Sequence, residues 1–219
     1  MTDKLPEIMT EQEWQVFIGQ FNVKAPTGLR NAAVFTLMHD AGLRTCEAVG
    51  LKTADIRQDS LDGQPVTVLT LKATKGGKER NVYLTDRADH LLRAWLEKKG
   101  ALGLGRYKHV FTTLKGGPLD SGYLRTVCAR MGARAGIERR THPHMLRHTF
   151  ATDLLADTGD LALVQDALGH SSPETTRVYA KVRDARLAAA MTKRGQPDLQ
   201  EQIAAVQKQL DELKQAAGS

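Results

Sequence analysis

The sequence predicts a mainly α fold with a small antiparallel β-sheet, an α+β arrangement, and two observations carry this. Most of the chain falls into segments of helical length that open on capping residues and close on glycine. In the middle, residues 66–71 (VTVLTL) and 81–84 (NVYL) are short and rich in β-branched side chains, and the Gly76-Gly77 pair between them signals a turn. A chain of 219 residues can bury a core without disulfide or metal staples.

The elements follow in order. Thr10, with Glu13 three residues on, caps a helix reaching residue 21. A second helix over 29–39 stops at Ala41-Gly42, and Thr45 caps a short one ending near Gly50. The two strands form a hairpin whose tip, KATKGGKER (72–80), holds Lys75 and Lys78. Helices are then expected over 86–99, 120–135, 143–156, 160–168, 173–181 and 184–192, punctuated by Gly159-Asp160, Gly169 and Ser172-Pro173. Gly195-Gln196-Pro197 marks a linker, which divides the chain into a domain over 1–194 and an appendage over 195–219. In the appendage, Leu199, Ile203, Val206, Leu210 and Leu213 line one seam of a helix over 198–217. Two heptads are too short for an isolated coiled coil, so this helix needs a partner surface, in cis or on a neighbouring subunit.

Composition narrows the function classes. A net charge of +6 and a pI near 9.4 suit a polyanionic partner such as nucleic acid. Aromatic residues at 5% argue against a base-stacking platform for single strands. The N-terminus has no apolar signal region and no stretch approaches membrane-spanning length. Cys46 and Cys128 stand in no CxxC pattern and are expected to be reduced, buried thiols of a cytoplasmic protein.

The densest chemistry lies in HPHMLRHTF (142–150). Pro143 suits the first turn of a helix, with Thr141 or His142 as its cap. His144 and Arg147 then lie three residues apart on nearly one face, beside a helix end that favours anions. A phosphate fits that combination, because a guanidinium binds it bidentately. Zinc is the rival for the three histidines, but no paired cysteine or nearby carboxylate completes a tetrahedral set; His148 alone reads as a structural histidine. The lysine-rich tip lacks the GxxxxGK[ST] pattern of a Walker loop and suits a DNA backbone better. Tyr179 considered by itself reads as a core aromatic with a wet hydroxyl.

Taken together, GLRTCEAVGL (42–51), HPHMLRHTFAT (142–152) and LGHSSPETTRVYAKV (168–182) form a multipart pattern. The chain resembles the catalytic domain of tyrosine recombinases, the phage integrase and Xer-type family, over about residues 10–190. The resemblance implies that fold and a set of roles. Arg44 and Arg147 neutralise the non-bridging phosphate oxygens. His144 accepts a proton or orients the phosphate, and His170 hydrogen-bonds a phosphate oxygen. Tyr179 attacks a DNA phosphodiester to give a 3′-phosphotyrosyl link. Lys75 protonates the leaving 5′ oxygen, with Lys78 as the rival for that role. Lys78, Arg80, Arg139 and Arg140 are expected against DNA phosphates. No metal or other cofactor is expected, because bond energy is held in the protein–DNA ester and side-chain cations stabilise the charge.

The implied function is site-specific recombination of double-stranded DNA, with self-association on DNA as a dimer or tetramer and a cytoplasmic, nucleoid-associated location. Rivals are a type IB topoisomerase, a regulator that kept the fold but lost catalysis, and an interaction module built on the C-terminal helix. Typical relatives carry a helical core-binding domain ahead of the catalytic one. Here about ten residues precede the pattern, so that domain is expected to be missing from this chain.

Overall fold

Every residue from 29 to 39 is buried in the computed structural model, which describes residues 7–61, 63–72 and 79–169. They belong to α2 (Pro26–Asp40), which begins earlier than expected because Pro26 supplies a pre-set first turn. A helix buried all round needs neighbours on every side. α1 (Glu11–Ile18), α4 (Asp86–Ala101) and α6 (Pro143–Thr158) pack against it. The Thr10–Glu13 capping box of α1 is formed as the sequence predicts. The helix ends at Gly19, short of residue 21, yet Phe21 still packs on Phe17 and Phe35 at 5.6 and 5.5 Å between ring centres.

The sheet has three antiparallel strands in the order β1 (Ile56–Leu61), β2 (Gln64–Leu71) and β3 (Arg80–Tyr83). The predicted hairpin is β2–β3, with Leu71 opposite Arg80 and Val68 opposite Tyr83. β1 is an addition to the expected pair. Its side chains after Ile56 are exposed, so IRQDSL carries no hydrophobic alternation to reveal a strand. Val68, Leu69 and Leu71 of β2 enter the core.

Three short features aim at the site. α3 (Thr45–Gly50) starts one residue earlier than a Thr45 cap implies: Arg44 takes the cap position and Thr45 is already helical. α5 (Ser121–Arg134) precedes the turn into α6, and α7 (Leu161–Leu168) follows α6 and meets β3. Cys128 is buried as expected, and burial pushes its thiol up to about 12. Cys46 is exposed, contrary to expectation, because it sits on the outer face of α3. Among the described residues no helix is long and apolar enough to cross a membrane. The chain divides into Met1–Tyr179 and Ala180–Ser219; the expected helices over 173–181, 184–192 and 198–217 lie outside the described residues.

Candidate active site

A buried carboxylate organises this region. Glu47, on α3, is 7% exposed and accepts from two arginine side chains and one backbone amide. Arg80 donates to it through both Nη atoms, at 2.7 and 2.9 Å. Arg44 donates its backbone N–H at 2.7 Å and Nη1 at 2.9 Å. Arg147 brings Nη1 to 3.9 Å of the same carboxylate. Burial by itself raises the Glu47 pKa, but these bonds and the positive charge outweigh it and bring the carboxyl down to about 2. Glu47 is therefore ionised, and the four side chains together carry net positive charge.

The two inner arginines also reach the end of α7. Arg147 donates Nη2 to the Leu168 carbonyl at 2.7 Å and Nη1 to the Gly42 carbonyl. Arg80 donates Nε to the Ala167 carbonyl at 3.0 Å. Cations are favourable at a helix C-terminus, where carbonyls lack helical partners. Gly169 then turns the chain with φ +62°, and a Cβ there would lie 2.9 Å from Arg80 Cδ. Gly42 is equally constrained: φ is +64° and a Cβ would meet the Phe150 ring at 2.4 Å.

His144 stands at the start of α6, exposed, with its ring edge-on to that of His148 at 4.3 Å. The protein packed behind it, and then the charges of Arg147, His142 and Arg44, hold its pKa below the ordinary imidazole value. It is thus neutral at neutral pH and able to accept a proton. Arg44 is the most open of the three arginines, with 30% of its side chain exposed against 9% for Arg80 and 3% for Arg147.

The structure thus brings Arg44, His144 and Arg147 together, while Lys75, Lys78, His170 and Tyr179 lie outside the described residues. Two residues expected against DNA are engaged within the protein. Arg80 faces inward, since both Nη groups and Nε are taken by Glu47 and Ala167. Arg139 forks onto both oxygens of Glu13 at 2.5 and 2.6 Å and also bonds the Ile8 carbonyl; it ties the start of the chain to the turn before α6. Arg140 is exposed. Glu47 is the residue sequence reasoning missed. Its signal was the Arg44–Glu47 spacing of three, which places both at one end of a short helix.

These features define a mainly helical domain that brings three guanidiniums onto one buried carboxylate, with an imidazole close to two of them. Residues 7–186 match the model of the phage integrase family, and the chain belongs to that family. It is 36% identical over 199 residues to the tyrosine recombinase XerC of Xanthomonas campestris pv. campestris, covering 87% of this chain and 58% of that relative. The XerH site-specific recombinase bound to palindromic difH, a post-cleavage complex, superposes with a TM-score of 0.72 at 32% identity, over 87% of this chain and 54% of that one. The XerA recombinase gives 0.71 at 25% identity, over 89% and 67%. The fold is that of tyrosine recombinase catalytic domains.

Proposed function

We propose that this chain is the catalytic domain of a site-specific recombinase that cuts and rejoins duplex DNA through Tyr179. The observation that carries the reading is that Arg44 and Arg147, gathered on ionised Glu47, both lie close enough to a neutral His144 to act on it. In this reading the Tyr179 hydroxyl attacks a DNA phosphorus and loses its proton to His144. The bond to the 5′ oxygen breaks, and Lys75 protonates that oxygen. Arg44 meets one non-bridging oxygen directly. Arg147, held by backbone carbonyls, supplies positive potential from beneath, and His170 completes the set. Loss of one such preorganised donor typically costs ~10²–10³ in rate. Rejoining reverses the steps, and the ester conserves the bond energy. Glu47 and Arg80 set the arginine geometry and do not touch the phosphate.

Duplex DNA is the partner in this reading, with self-association on DNA, a role for the helix over 198–217 in that association, and a cytoplasmic location at the nucleoid. Two relatives support it: XerC carries the name tyrosine recombinase, and XerH is seen on DNA after cleavage.

Covalent trapping tests the proposal. The protein is incubated with fragmented DNA from its source, denatured in detergent, and the attached DNA ends are sequenced. Protein-linked 3′ ends clustered at one sequence, and lost in Tyr179→Phe, are expected. Adducts scattered without sequence preference would point to topoisomerase chemistry, and sequence-specific binding without any adduct to a silent regulator.

A further inference from the structure

The cap of α6 is a histidine, which is an unusual choice. Serine, threonine, aspartate and asparagine dominate this position. Thr141, the other candidate, is buried and donates its hydroxyl to the Cys128 carbonyl, so it is not available. His142 has the extended backbone of a cap, with φ −148° and ψ 153°. Its Nδ1 lies 3.2 Å from the Met145 backbone nitrogen, whose hydrogen is shared with the His142 carbonyl at 3.0 Å.

A backbone N–H only donates, so Nδ1 must offer its lone pair. In a neutral ring the proton then sits on Nε2. This constraint bears directly on the first turn of α6. Pro143, Met145, Leu146 and Arg147 are all buried, which pins one side of the helix start. His144 is exposed between them, and the cap adds to that packing a bond that ties the first turn carrying it.

We propose that His142 is a positioning residue of the recombinase site: its Nε2–H tautomer caps α6 through Nδ1 and thereby holds His144 in the geometry that meets the phosphate. This rests on the function proposed above for the site, and its test has one arm that does not need DNA.

In the first arm the full chain is labelled with ¹⁵N-histidine and its ring tautomers are read by long-range proton–nitrogen NMR. His142 is expected as the Nε2–H tautomer, with Nδ1 shifted as an acceptor. His144 ring signals should move in His142→Ala, which removes the acceptor, and stay close to wild type in His142→Asn, which restores one. An Nδ1–H tautomer, or equal displacement of His144 in both variants, overturns the proposal whether or not any DNA is cut.

The second arm uses duplexes built on the sequence recovered by trapping. His142→Ala is expected to form adduct roughly fivefold more slowly at saturating DNA, the factor that a typical cap represents, with DNA affinity unchanged. His142→Asn should recover most of that rate. Equal loss in both variants, or a loss that appears only in affinity, counts against positioning. Absence of wild-type adduct would speak against the recombinase reading, and the NMR arm would still decide the cap.

Discussion

Glu47 shows how one buried side chain can hold a cluster of cations in place. A buried carboxylate is costly unless paired, and here three guanidiniums face it. Removing one member of such a buried group strands the others. Glu47→Gln keeps the shape but removes the charge, and we expect it to cost roughly 3–5 kcal/mol. Urea denaturation reads this as a lower midpoint at unchanged slope; a loss below ~1 kcal/mol would show that the arginines find other partners. The inward role of Arg80 was not legible in the sequence. Its partners lie 33 residues before it, at Glu47, and 87 after it, at Ala167. Only the fold puts these together. That His144 and Arg147 share one face was legible, because a spacing of three on a proline-started helix places them there; Arg44 was singled out only through the family resemblance.

At the level of elements, caps and stops were the readable signals and exposed strands were not. The capping box of α1, the proline start of α6 and the glycine stops of α6 and α7 all stand where the sequence put them. β1 escaped because its polar, exposed face has no period-two pattern to betray it. The two glycine stops allow a matched experiment. Gly159 and Gly169 both adopt left-handed φ, +68° and +62°, but a Cβ at Gly159 meets nothing within 4 Å, whereas one at Gly169 meets Arg80. Gly159→Ala should therefore cost only the backbone strain, about 1 kcal/mol. Gly169→Ala adds displacement of the Arg80 fork, so its melting temperature should fall further, and its adduct formation should drop where that of Gly159→Ala does not. Equal effects of the two would mean that Arg80 adjusts freely.

Across the whole molecule, two buried carboxylates join elements far apart in sequence. Glu47 links α3 to β3. Asp40, at the end of α2, accepts from His39, from Thr85 and from both Nε and Nη2 of Arg87 on α4. Burial by itself raises the Asp40 pKa, but its bonds from His39 and Arg87 prevail and bring it to about 2. Both groups thus sit below their unfolded values, 3.8 for Asp40 and 4.5 for Glu47. Between the two limits the unfolded chain binds more protons than the folded one, so stability falls as pH falls. The contribution is complete above about 4.5 and is lost progressively towards about 2. Glu13, paired with Arg139 and also brought down to about 2, adds less because solvent screens an exposed pair. Melting temperature followed by circular dichroism should therefore drop steeply below pH ~4.5 in the wild type. Asp40→Asn and Glu47→Gln should start lower at neutral pH but decline less steeply in acid, because each removes one group that must be protonated. If both variants kept the wild-type acid slope, the latches that fasten the sheet and α4 to the helical core would have to lie in other carboxylates.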